Sequence, residues 1–487
     1  MAPNFVQDAL YNSSQRQEEH AVTCQPETRT KILYDIRSWA DRSSAHVCWL
    51  NGPAGTGKTT VAHTIAAEYD QRRQLAATFF FWRKTGDRDD IKKLVPTLAY
   101  QIAQKIPSAK EAMEKSLKLN DPSQVPLRDP LSKLSLEDQL STFLIAAANP
   151  TAPSLIIIDG LDECGSQDGI CRLIEWIRKN SPFRFLLTSR SEPRIEVNFS
   201  PDPYRGYTNA LILSLTDSKD DIGRYFVEQL GRLWQRRWNP RETSPWPSES
   251  DLKKLVEQSE GLFIYAATAV RHISGKGSPE NRLEDVLKLH KGLDNLYTQV
   301  IEEASEWDYF RVVMGSLLYL RHPLSINDFS SILHPLNGHL TNSGIRFALG
   351  GCHSILSITN DRSAIEPYHA SLRDFLTDQS RSQTLFYPPA TSHGRLMFGC
   401  LSAITRAFND GKPPSKYAVV SWYYHFCFFL SSNEGSEEIE DLRHEAQELV
   451  KKIDLNWVRV WMIEALYWVG MPYLRKVKFP TKVRGDI

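Results

Sequence analysis

The sequence predicts an α/β fold of the phosphate-loop type: a parallel sheet with helices on both faces, followed by a mainly helical remainder. Three observations predict it. Short apolar runs at 46–50, 78–82, 154–159 and 183–188 alternate with stretches of helical spacing, the pattern of strand–helix–strand crossovers. Those runs are continuous rather than alternating, as expected of strands buried on both faces. Beyond residue 217 the strand signal stops and helical periodicity takes over.

Taken in order, residues 1–23 are polar and unpatterned, a lead-in. Ile32, Leu33, Ile36 and Trp39 fall at helical spacing within 26–40. The run 46–50 is a strand that enters a glycine-rich loop, and 59–69 is the helix behind it, with Val61, Ile65 and Ala66 turned inward. A second strand at 78–82 and a helix at 94–106 follow. Residues 120–138 hold several prolines and read as a surface excursion. Strands at 154–159 and 183–188 enclose a helix at 171–179, and 210–215 is a fifth strand. Helices are expected at 220–234, 251–273 and 281–304, with a Pro, Ser and Trp linker at 238–250. Three short helices (309–320, 325–333, 344–349) and a hairpin turning at Asn360-Asp361 resemble a winged helix. Residues 392–487 are mostly helical and rich in aromatics.

Composition sets bounds. The chain has 487 residues, 41% of them hydrophobic, enough for a sizeable core. Lysine plus arginine equals aspartate plus glutamate at 58 each, so bulk charge gives no reason to expect a polyanion partner. The seven cysteines form no C-x-x-C pair, which suits a reducing compartment. No basic start with an apolar run opens the chain, and no apolar stretch approaches the ~20 residues of a spanning helix. A cytoplasmic protein without a membrane span is expected.

The chemistry concentrates in two places. Gly52, Pro53, Ala54, Gly55, Thr56, Gly57, Lys58 and Thr59 fit G-x-x-x-x-G-K-[ST], with Thr60 next in the following helix. Gly52 and Gly57 let backbone N–H groups converge on phosphate oxygens. Lys58 brings a point charge to the β- and γ-phosphates, and the helix N-terminus adds its dipole. Thr59 offers a hydroxyl to Mg²⁺. Downstream, Asp159 closes the apolar run Leu155-Ile-Ile-Ile158, where phosphate-loop enzymes place the aspartate that holds Mg²⁺. Asp162 or Glu163 could orient or deprotonate an attacking water. Arg190 follows the fourth strand, at the sheet end where ligands of open α/β folds sit, and could sense a γ-phosphate. Nothing matches the Asn-Lys-x-Asp base reader of GTPases, which favours ATP/ADP over GTP.

Gly52–Thr59, Ile158-Asp-Gly-Leu-Asp-Glu163 and Thr188-Ser-Arg190 together resemble the NACHT family of STAND signal-transduction NTPases, in the form found at the nephrocystin-3-like N-terminus and in fungal NOD-like receptors. The family's magnesium aspartate is followed by a small residue and then acids, as in Gly160, Asp162 and Glu163. Gly261-Leu-Phe-Ile-Tyr-Ala-Ala267 is similar to the helical segment after the NTPase sheet, with Phe263 where related switches often have proline. Tyr368-His-Ala-Ser-Leu-Arg-Asp-Phe-Leu376 is similar to the family's winged-helix segment. In that segment a histidine reaches the phosphates of a bound diphosphate, which makes His369 the candidate latch.

The resemblance covers roughly 24–475. It implies an NTPase domain at 24–215, a helical domain at 216–290, a winged-helix-like domain at 291–385 and a C-terminal helical segment at 386–487. It also implies a switch closed with ADP and able to self-associate with ATP, pairing with itself or with other NACHT-type proteins. Fungal immunity or heterokaryon incompatibility is the implied setting. No effector domain is recognisable before residue 24, and no propeller or ankyrin array follows the aromatic stretch at 457–474. A short paralogue, a truncated product or a scaffold regulating longer relatives is therefore a second expectation. A conventional motor-like ATPase fits less well, because the charge is balanced and helicase-type motifs are missing. Direct nucleic-acid binding is not expected: the third short helix carries only Arg346 as a cation.

Overall fold

The computed structural model describes residues 5–13, 23–83, 87–119, 134–145, 154–199, 208–215, 218–237, 246–275, 277–305, 309–358, 362–410, 414–430 and 439–444. Most of the expected lead-in, the prolines at 120–133, the linker at 238–245, the Asn360-Asp361 turn and the tail with Trp457, Trp461 and Trp468 lie outside these residues. Two compact units result. The first comprises residues 1–301, 352–359 and 366–375, and the second residues 302–351, 360–365 and 376–487.

The first unit is built on a five-stranded sheet in the order β2-β3-β4-β1-β5. Its strands are β1 (Val47–Asn51), β2 (Leu75–Phe80), β3 (Leu155–Asp159), β4 (Arg184–Ser189) and β5 (Thr208–Ile212). Every pairing among them is parallel. Alternate residues of β1, β3 and β4 enter separate cores. Val47, Trp49, Ile156, Ile158, Phe185 and Leu187 pack under the helices Ile91–Lys105 and Gln167–Asn180. Cys48, Leu50, Ile157 and Leu186 pack under the helices Thr30–Arg42 and Lys58–Gln71. Burial on both faces explains why the strands read as unbroken apolar runs.

Register places the chemistry. Asn51 is level with Ser189 and Ile212, and Ile158 is level with Leu187. The loops after β1, β3 and β4 therefore leave the same edge of the sheet. Because β1 lies beside β4, and β4 beside β3, the glycine loop and the acidic turn flank the turn that carries Arg190.

Four local expectations needed correction. Strand β2 begins at Leu75, earlier than 78, because Ala76 and Ala77 are small residues of low strand propensity yet fully buried in the ladder. The expected helix at 251–273 is two helices, Glu249–Gln258 and Phe263–Ile273. Gly261 breaks it at φ +82°, where a Cβ would lie 2.1 Å from the Leu215 carbonyl oxygen. The expected helix at 281–304 is also two, Pro279–Lys288 and Leu293–Ala304. Gln258 stabilises that break, its amide donating to the carbonyls of Val286 (3.2 Å) and Leu289 (2.8 Å). Finally, the helices Pro107–Leu119 and Pro193–Phe199 were unforeseen; each opens on proline, which fits a first helical turn.

A two-stranded antiparallel hairpin, β6 (Leu356–Ser357) with β7 (Glu366–Pro367), also belongs to the first unit. The second unit contains the helices Phe310–Leu318, Ile326–Leu333 and Asn342–Leu349, close to the expected positions. Its long helices Pro389–Asn409 and Lys416–Leu430 bury Leu396, Met397, Cys400 and Ala418. Among the described residues no helix is long and apolar enough to cross a membrane.

Candidate functional site

At the loop edge of the sheet, the first unit holds a cavity of about 530 Å³. The loop after β1 forms its floor. Gly55 is at φ +76°, and a Cβ there would lie 2.2 Å from the Ile264 side chain. Ile264 also donates its backbone N–H to the Gly55 carbonyl at 3.1 Å, so the Phe263–Ile273 helix is seated directly on the phosphate loop. Thr56 is buried, and its hydroxyl donates to the Pro53 carbonyl at 2.9 Å. Arg29 braces the loop from behind. Its guanidinium donates to the Thr56 carbonyl at 2.5 Å and lies 4.6 Å from the centre of the Phe263 ring.

Lys58 donates to the carbonyls of Gly52 (2.7 Å) and Pro53 (2.8 Å). Burial lowers its pKa to about 8, against the opposing pull of Asp162 and Asp159. Of the sequence-predicted loop residues, Ala54, Gly55, Gly57, Lys58, Thr59 and Thr60 line the cavity. Gly52, Pro53 and Thr56 instead hold the loop's shape from within.

The acidic wall is organised by hydrogen bonds. The Thr188 hydroxyl donates to the Asp159 carboxylate at 2.6 Å and accepts from the Gly160 N–H at 3.0 Å. This fixes the strand-end carboxylate toward the cavity, which both Thr59 and Asp159 line. Asp162 is taken up by Arg190: the Arg190 backbone N–H donates to it at 2.9 Å, and the Arg190 Nε lies 3.2 Å away. Glu163 accepts the Arg83 backbone N–H at 3.0 Å. Burial, reinforced by the neighbouring Asp162 charge, pushes Glu163 up to about 7.

His369 completes the wall. The Ser371 N–H donates to its Nδ1 at 3.1 Å, so Nδ1 carries no proton. The Ser371 hydroxyl lies 2.6 Å from the same nitrogen, and the Tyr297 hydroxyl lies 2.9 Å from the Ser371 hydroxyl. The consistent assignment is Tyr297 donating to Ser371 and Ser371 donating to Nδ1, which leaves the His369 proton on Nε2. Burial holds His369 down to about 3, and the charges of Arg190, Lys58 and Arg271 add to this. His369 is therefore a neutral imidazole with a single N–H donor.

Lys58, Thr59, Asp159, Asp162, Glu163, Arg190 and His369 thus all line one cavity. Sequence reading did not single out Thr188 as the hydroxyl that orients Asp159, nor Arg83, Asp374, Ser371 or Tyr297. Asp374 accepts from Arg190 at 2.9 Å and lies 3.7 Å from the Arg83 guanidinium. The only linear signal for Asp374 was its place in the stretch Tyr368–Leu376. Its partner Arg190 is 184 positions away.

Residues 27–190 match the family model described as nephrocystin 3, N-terminal. The vegetative incompatibility protein HET-E-1 of Podospora anserina is 19% identical over 308 residues, and this chain spans 22% of that protein's length, with 61% of its own length aligned. The Orc1 protein of Aeropyrum pernix, solved in complex with DNA, aligns at a TM-score of 0.30 and 15% identity over 77% of this chain and 94% of that one. The Drosophila ORC bound to DNA aligns at 0.29 and 13% over 59% and 71%. The five-stranded parallel sheet, the phosphate loop after β1 and the match over residues 27–190 support one family reading: this part of the chain is similar to a NACHT-like NTPase domain.

Proposed function

We propose that the chain is a nucleotide-operated signalling switch that binds ATP with Mg²⁺, hydrolyses it slowly and rests with ADP. The carrying observation is that the phosphate loop, the acids after β3, Arg190 and His369 line a single cavity. Lys58 holds the phosphates. Thr59 and Asp159 are hard oxygen donors of the kind Mg²⁺ takes beside phosphate oxygens and water. Among the described residues no group of three or more His, Cys, Asp or Glu is arranged for a metal, so phosphate oxygens would have to complete such a site. The bound ion would neutralise phosphate charge.

In this reading Glu163, raised to about 7, is the water-orienting acid, and Asp162 is the anchor that aims Arg190. The Nε2–H of His369 donates to the diphosphate and favours the ADP state. A γ-phosphate would compete with Asp374 for Arg190 and loosen the segment that carries both Asp374 and His369. A ligand shifts such an equilibrium only through its different affinity for the two states, and this competition supplies a difference. The ATP state then exposes surfaces for self-association with this or other NACHT-type chains. The likeness to a vegetative incompatibility protein supports a setting in fungal immunity or heterokaryon incompatibility.

Light scattering of the purified chain with ADP and with a non-hydrolysable ATP analogue tests the switch. Larger assemblies with the analogue alone are expected. One mass with both nucleotides, together with fast Mg²⁺-dependent turnover, would instead favour a conventional ATPase.

A further inference from the structure

Arg271, on the Phe263–Ile273 helix, lines the same cavity and has no part in the proposed site. One of its N–H groups donates to the Ser354 carbonyl at 2.9 Å. Its guanidinium is stacked over the Tyr368 ring, 4.0 Å from the centre. No carboxylate among the described residues lies within ion-pair distance of it. Arg190 differs, being held by Asp162 and Asp374. The groups that exert a charge effect on Arg271 are the tyrosines Tyr225, Tyr368 and Tyr297, and burial is what lowers its pKa.

A guanidinium carries five N–H donors in a rigid fork matched to oxyanions. Arg271 uses one on a carbonyl and covers one face with a ring. Arg271 is half-buried, and a guanidinium partly shielded from water with no counter-charge gains when a ligand supplies the anion. Tyr368, on which Arg271 stacks, is the chain neighbour of His369, and all three residues line the cavity together with Lys58 and Arg190.

We propose that Arg271 is a phosphate-binding residue of this cavity, presenting its remaining N–H groups to the phosphate chain of a bound nucleoside diphosphate. The stack on Tyr368 and the bond to Ser354 pre-orient the fork. This rests on the nucleotide reading of the cavity. It assigns a ligand contact to the helix that follows Gly261, so nucleotide binding would tie that helix to the phosphate loop through charge as well as through Ile264.

The test is equilibrium binding of ADP and of adenosine to the full chain and its variants. Arg271→Met should weaken ADP by about ten- to a hundredfold, the worth of a charge-assisted hydrogen bond or two. Adenosine affinity should stay unchanged, and Arg271→Lys should recover most of the ADP affinity. Should the Met variant not fold, Arg271→Gln stands in for it, since it keeps a donor for the Ser354 carbonyl but lacks the charge. Unchanged ADP affinity, or an equal loss for ADP and adenosine, would overturn the assignment and leave Arg271 a structural strut. A wild-type chain that binds no ADP would overturn the nucleotide reading first and this assignment with it.

Discussion

Arg190 and Asp374 form an ion pair at 2.9 Å across 184 positions of sequence, and the same guanidinium is 3.2 Å from Asp162. Both side chains are about a quarter exposed, 24% each, so water only partly screens the pair. Arg190 is thus committed to a carboxylate that a γ-phosphate would have to displace.

Asp374→Asn tests that commitment. The variant should bind a non-hydrolysable ATP analogue more tightly relative to ADP, by about three- to tenfold, because the competing charge is gone. A double-mutant cycle with Arg190→Gln should give a coupling energy of about 1 kcal/mol in unfolding experiments. A near-zero coupling, or equal shifts for both nucleotides, would make the pair an incidental surface contact.

The Tyr297–Ser371–His369 chain makes a different demand. Ser371→Ala removes the hydroxyl beside Nδ1 and the link to Tyr297, so the imidazole is less firmly fixed as the Nε2–H form. ADP should dissociate about three- to tenfold faster, an effect near that of losing one hydrogen bond. Tyr297→Phe should act in the same direction and more weakly. Nitrogen chemical shifts of His369 should report the Nε2–H form in the parent chain at pH 6. A doubly protonated ring there would contradict the assignment.

Glu163 sets a pH dependence. Its carboxyl is raised in the folded state to about 7 from 4.5, so the folded chain binds that proton more tightly than the unfolded chain does. Stability from this group is therefore fully present below about pH 4.5 and is lost as pH rises through about 7. Glu163→Gln should raise the unfolding free energy at pH 8 by about 1–3 kcal/mol and change little at pH 4.5. Chemical denaturation at the two pH values checks this. A gain of equal size at both would show that charge burial is not the cause.

The linear sequence carried the sheet well because two-sided burial leaves unbroken apolar runs, and the phosphate loop because its chemistry is local. Asp159, the acids Asp162 and Glu163 after it, and Arg190 are readable as candidates because they sit at or just beyond strand ends. Gly261 was visible in the sequence, yet its left-handed conformation follows from the close approach of the Leu215 carbonyl, a contact no local pattern encodes. Asp374, Ser371 and Arg271 escaped for the same reason. Asp374 and Arg271 acquire meaning from partners 184 (Arg190) and 83 (Ser354) positions away, and Ser371, beside His369, from its link to Tyr297, 74 positions away.

The most direct test is to denature the purified chain and identify the nucleotide it releases. ADP is expected from the parent chain and none from Lys58→Ala, with the His369→Ala variant retaining less. A parent chain that releases no nucleotide and turns over Mg²⁺-ATP rapidly would contradict an ADP-resting switch.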